Sequence, residues 1–140
     1  MDATSREALA ATLELAPVSI IVADREGRIV AWNRASETLF GFTAAEAMGQ
    51  SLDLIIPEHL RDAHWKGYDR SLASGETQYA GRVMTTRAVH KDGRKLYVDF
   101  SFSMLRDAAG QVVGAIAAGR DGTERFLADR ARRMASPGGS

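Results

Sequence analysis

His64 is the residue whose type and setting first invite chemistry. In the stretch IPEHLRDAHWKGYDR, a helix can open at Pro57, where proline's missing N–H costs no hydrogen bond. Such a helix lines up Leu60, His64, Gly67, Tyr68 and Ser71 on one face. A neutral imidazole there is a good metal donor. Gly67, one turn on, leaves space beside the ring for a flat ligand. The plainer reading stands beside this one, because a histidine on a partly apolar helix face is also an ordinary packed residue. Asp62, Lys66 and Asp69 project elsewhere, and Asp62 and Lys66 have the spacing of a surface ion pair. His59, in a first helical turn, and His90, in a hairpin loop, read as solvent-facing and do not compete with His64.

Other chemistries find no residues. With no cysteine in the chain, disulfides, thiolate metal sites, cysteine nucleophiles and cysteinyl photochemistry are all excluded. There is no phosphate-cradling glycine loop, no metal-ligand cluster and no nucleophile with a matching base. Ser101 and Ser103 sit on a strand's polar face without a paired histidine. The chain therefore reads as a non-enzyme. Eighteen basic residues balance eighteen acidic ones, which gives no electrostatic reason to expect nucleic acid or a membrane surface as partner. No apolar run reaches the length of a membrane span and no signal-peptide pattern opens the chain, so a cytoplasmic setting is the default expectation. At 140 residues, 45% of them hydrophobic, the chain can bury one core.

The elements that must position His64 follow from periodicity and turn chemistry. Residues 1–16 read as an N-terminal flanking helix, with Thr4 and Glu7 at capping-box spacing, a stripe of Leu9, Leu13 and Ala16, and Pro17 as its end. Strands follow over 18–23 and 28–32, joined by Asp24-Arg25-Glu26-Gly27, with Ile20 and Val22 expected inward. Asn33 can cap a short helix that Gly41 stops, and Thr43 with Glu46 caps another that ends at Gly49. LDLI makes a brief turn before the helix that runs from Pro57 to about Ser74. Three strands close the chain: 79–89, 95–105 after the Asp92-Gly93 turn, and 111–119. The middle one alternates, with Leu96, Val98, Phe100, Phe102 and Met104 on its core face. Asp121 and Glu124 can cap a C-terminal helix bearing Leu127, Ala131 and Met134, and SPGGS reads as a flexible tail. The expectation is an α+β fold: one five-stranded antiparallel sheet with short helices on one face and flanking helices at both ends.

The segments IIVADREGRIVAWNRASETLFGF, EAMGQSLDLIIPEHLR and VHKDGRKLYVDFSFSMLRDAAGQVVGAIAAGRDGTER together resemble a PAS domain. The resemblance implies a core over 17–121, a C-terminal helix and tail over 122–140, and a sensory or dimerisation module that passes conformational change to an effector. The family usually ends on an Asp-Ile-Thr-like triplet. Here it is Asp121-Gly122-Thr123, so Gly122 forfeits an aliphatic anchor and adds backbone freedom.

The IPEHLRDAHWKGYDR segment is similar to the haem-binding helix of rhizobial oxygen-sensor kinases and of a bacterial oxygen-sensing phosphodiesterase. That resemblance implies haem b with His64 as axial iron ligand. It places Tyr68 and Arg70 where haem propionates are anchored, Arg82 and Met84 on the distal side, and Phe100 and Phe102 in the pocket wall. Plainer roles stand beside these: Tyr68, Arg70 and Arg82 as surface residues, and Phe100 and Phe102 as core with or without haem. The small residues Gly114, Ala115, Ala117, Ala118 and Gly119 either leave a ligand cavity or let the strand pack closely. Trp65 can cover the helix rim or meet a dimer partner, while Trp32 packs at the end of the second strand. Two classes of function remain. One is a haem-based gas or redox sensor. The other is a haem-free module that dimerises through its flanking helices or holds a small apolar ligand. Either would serve an effector such as a kinase or cyclase in a longer parent protein.

Overall fold

A computed structural model of the chain describes residues 2–77 and 81–135. The first helix, α1 (Ala3–Leu15), is capped by Asp2, whose carboxylate accepts the Ser5 N–H at 2.7 Å, not by Thr4, which lies inside the first turn. Strands β1 (Ser19–Asp24) and β2 (Ile29–Trp32) form the expected antiparallel hairpin. Two short helices follow, α2 (Arg34–Phe40) and α3 (Ala44–Ala47). Asn33 caps α2, Gly41 closes it at φ 82°, and Thr43 with Glu46 forms the capping box of α3. One 3-10 turn covers Leu52–Ile55 and another covers Glu58–Leu60, which leads into α4 (Arg61–Ser74). Strands β3 (Met84–Val89), β4 (Lys95–Arg106) and β5 (Val112–Asp121) precede the last helix, α5 (Thr123–Ala135).

The five strands form one antiparallel sheet in the order β2-β1-β5-β4-β3. β5 therefore pairs with β1 and closes the chain's two halves on each other. The core lies between one sheet face and the short helices. Phe40 and Val98 are fully buried, and Ile21, Ile29, Trp32, Ile55, Ala88, Leu96 and Phe100 surround them. Burying each large apolar side chain contributes about 1.5–3 kcal/mol. Trp32 also donates its indole N–H to the Phe42 carbonyl at 2.9 Å, so its polar edge is satisfied inside the core.

A buried polar knot fixes how α1, β1 and α2 meet. The Asn33 amide donates to the Leu13 and Val18 carbonyls, its Oδ1 accepts the Ile20 N–H, and the Ser19 and Ser36 hydroxyls bond each other. With Ser19 held inward, the phase of β1 is set. Ser19, Ile21 and Ala23 face the core, and Ile20 and Val22 face outward, opposite to the expectation. The stretch VSIIVA has no alternation that could reveal this, so the polar knot decides it.

Three further expectations change. The strand begun at residue 79 begins instead at Met84, residues 78–80 lie outside the described residues, and Arg82 precedes the strand, exposed. His90 is not solvent-facing: its side chain is 15% exposed and packs on Gly41, where a Cβ would come within 2.5 Å of Cε1. Gly114 and Gly119 do not open volume, because a Cβ there would meet the backbone oxygens of Ala23 and Asp99 at 2.0 and 2.4 Å. No helix among the described residues is long and apolar enough to cross a membrane. The SPGGS tail lies outside the described residues.

Candidate functional site

Leu60, His64, Gly67, Tyr68 and Ser71 are half-buried on the α4 segment, as are Arg61 and Trp65, and Leu72 is buried, while Asp62, Lys66 and Asp69 are exposed. Two aromatic side chains fix this helix. Trp65 donates its indole N–H to Asp53 Oδ1 at 2.8 Å, and its ring lies against Gly27 in the β1–β2 turn. Tyr68 donates its hydroxyl to the Asp24 carbonyl at the other side of the same turn. Burial pushes the Tyr68 phenol up to about 12, with the nearby Asp24 charge adding to the effect, so it remains a donor at any physiological pH.

His64 sits within this aromatic group, its ring centroid 4.6 Å from that of Trp65 and 5.9 Å from that of Tyr68. Its Nδ1 is buried without a hydrogen-bond partner. Burial holds the imidazole pKa below its ordinary value, although the Asp53 carboxylate pulls the other way. The ring is thus neutral at pH 7, the form that can bind a metal ion. Among the described residues, no group of three or more His, Asp or Glu side chains is arranged to hold a metal ion by itself. Any metal at His64 would have to bring most of its ligands with it.

The other expected site residues divide into two sets. Phe100 lies 5% exposed in the core, its ring 6.4 Å from Phe40 and 5.5 Å from Phe102. Phe102 packs at the edge of that core, and Met84 opens β3 directly opposite Phe100. Phe100 and Phe102 thus share an apolar wall, with Met84 half-buried beside Phe100 in the strand register. Arg82 and Arg70 do not join it. Both are exposed, and Arg70 lies with Lys66, Asp69 and Ala73 around a surface concavity of about 500 Å³. At about 100° per residue, that concavity is on the side of α4 away from His64. Within the chain, Trp65 covers the β1–β2 turn.

Sequence reasoning missed a polar cluster on the opposite face of the sheet. Asp99 of β4 accepts from Thr85 of β3 at 2.6 Å and from Arg125 of α5 at 2.7 and 2.9 Å. Alternation along β4 placed Asp99 on the polar face, but nothing in the strand pointed to the helix that meets it.

The matching family model, described as PAS fold, spans residues 13–126. An uncharacterised protein of Azorhizobium caulinodans is 32% identical over 91% of this chain, and the oxygen sensor protein DosP of Escherichia coli is 27% identical over 71% of it. The chain spans only 17% and 12% of the length of those two relatives. Among solved structures, an RNA-binding light-oxygen-voltage receptor superposes with a TM-score of 0.73 at 27% identity, over 96% of this chain and 38% of that one.

Proposed function

Since this chain belongs to the PAS fold family, we propose that it is the sensory module of a longer signalling protein and holds haem b through His64 to report a gas or redox state. The carrying observation is the His64 imidazole itself, which is neutral and half-buried, with an unpartnered Nδ1. A buried polar atom without a partner is uncommon and calls for an explanation. The similarity to an oxygen sensor protein supports the same reading. An iron porphyrin would supply the gas-binding or redox centre, and His64 would be its axial donor.

The residues fit such a group unevenly. His64 suits the donor role, and Phe100, Phe102 and Met84 suit an apolar wall. Tyr68 would anchor a propionate only by leaving the Asp24 carbonyl, and Arg70 and Arg82 would have to swing inward from exposed positions. The fit therefore rests on the donor and the wall.

A second reading has its own observation. No residue of α1 is buried, while Leu9, Leu13 and Leu15 are all exposed, which favours a module that dimerises through its flanking helices. The two readings are compatible. An attached effector such as a kinase or cyclase is proposed on the small share of the relatives' length that this chain spans.

Titration with hemin, followed by absorption spectra of wild type and His64→Ala, tests the haem reading. The expected result is a sharp Soret band saturating at one haem per chain and lost or strongly altered in the variant. Identical broad spectra of loosely associated hemin in both proteins would reject it and leave the dimerisation module.

A further inference from the structure

Neighbouring residues on β4 point to opposite faces of the sheet. Phe100 enters the core, while Asp99 points outward toward α5. Each is received by a glycine. A Cβ on Gly119, directly opposite Phe100 on β5, would come within 2.6 Å of Phe100 Cδ1. A Cβ on Gly122 would come within 2.5 Å of Asp99 Oδ2 and 2.9 Å of Cγ. Neither glycine has the positive φ that would require glycine for its backbone alone. Both positions are buried. What each supplies is the missing side chain.

The Asp99 carboxylate, seated over Gly122, joins three elements. It accepts the Thr85 hydroxyl from β3 and the Arg125 guanidinium from the first turn of α5. The same turn is held to β4 next door. Gly122 N–H donates to the Tyr97 carbonyl at 2.7 Å, Thr123 Oγ1 accepts the Tyr97 N–H at 2.9 Å, and the Phe126 ring stacks on Tyr97 at 4.0 Å. Those contacts fix where α5 starts. The Asp99–Arg125 bond acts within that same turn, between Thr123 and Phe126, and adds a second hold on how the helix is rotated. Glycine at 122 thus does not leave the junction loose, as its lack of an aliphatic side chain suggested: the space is filled by a carboxylate from the strand.

We propose that Asp99, seated in the notch left by Gly122, is a latch that ties the orientation of α5 to the position of Phe100 in the core. A displacement of Phe100 on the inner face carries Asp99 with it, because the two share a peptide unit. Arg125 then loses or changes its grip, and α5 turns as a unit. Any core event that moves Phe100 would be read out this way, so the proposal stands whether or not haem binds.

Hydrogen–deuterium exchange along α5 tests it through a double-mutant cycle on the metal-free chain. Asp99→Asn should speed exchange in residues 123–130 by about three- to tenfold, the range for losing a charge-assisted hydrogen bond at a partly exposed site, with β1 and β5 unchanged. Gly122→Ala should do the same by unseating the carboxylate. In an Asp99→Ala background, Gly122→Ala should add little, since nothing remains for the new Cβ to displace. Unchanged exchange in Asp99→Asn would overturn the latch. So would a Gly122→Ala effect of the same size with and without the Asp99 side chain, because glycine would then act through its backbone alone.

Discussion

Trp65 occupies the space that a side chain at position 27 would need. A Cβ on Gly27 would fall 2.2 Å from Trp65 Cη2 and 2.3 Å from Cζ3, and Gly27 also has φ 77°. Gly49 shares the left-handed backbone, at φ 82°, but a Cβ there would meet nothing within 4 Å. The pair separates conformational strain from packing. Gly49→Ala should cost about 1–2 kcal/mol, the penalty of a left-handed non-glycine residue. Gly27→Ala should cost about 2–5 kcal/mol, because about 1–3 kcal/mol of overpacking adds to the same strain. Denaturant unfolding of the two variants measures this. Equal losses would mean that Trp65 yields freely and does not pin α4 to the turn. The direction of Trp65 on its helix was legible in the sequence, but what it faces was not. Helical spacing gives an angle about the axis, and the glycine that accepts the ring is 38 positions away.

At the scale of elements, the sequence showed most where a local signal existed and least where a distant contact decided. The Asn33 cap, the Thr43–Glu46 capping box and the Asp92-Gly93 turn each carry their own hydrogen-bonding logic, and each forms as read. The phase of β1 is set by the Ser19–Ser36 bond across 17 residues, so Ile20 and Val22 were assigned to the wrong face. The α4 face was legible because five residues share one periodic stripe. The α5 junction was not, since Asp99, Thr85 and Arg125 come from three elements. That junction has a pH signature. Burial alone would raise the Asp99 pKa, but hydrogen bonds from Thr85 and Arg125 overcome it and hold the carboxyl below its ordinary 3.8. A depressed folded-state value means that the stabilisation is present above the unfolded value and is lost as pH falls through the folded one. The resonances of Phe126, stacked on Tyr97, should therefore shift in the acid range below pH 3.8 in wild type. Asp99→Asn should lack that step, and retention of the step in the variant would assign it to another carboxylate.

At the scale of the whole molecule, the described residues leave apolar surface uncovered on α1 and on the outward face of the sheet. Helix α1 has 13 residues, near the length below which an isolated helix is marginal in water, and none of them is buried. Leu9 and Leu13, one turn apart on the helix, are 50% and 45% exposed. The outward face of the sheet is also apolar where β1 meets β5: Ile20 pairs with Ala118 and Val22 with Ile116, all of them only half-buried. A solvated face of an antiparallel sheet is ordinarily polar, as Ser101 and Ser103 are on β4. These surfaces give the proposed dimer its physical basis, since a second copy is one partner that could cover them. The double variant Leu9→Glu/Leu13→Glu tests this by sedimentation over a concentration series. Each leucine fully buried contributes about 1.5–3 kcal/mol, so the dissociation constant should rise at least tenfold. The unfolding midpoint measured at high dilution should hardly move, because neither side chain is buried within one chain. If the variant sediments as wild type does, α1 is not the dimer contact. If dilute stability falls with it, α1 supports its own fold instead.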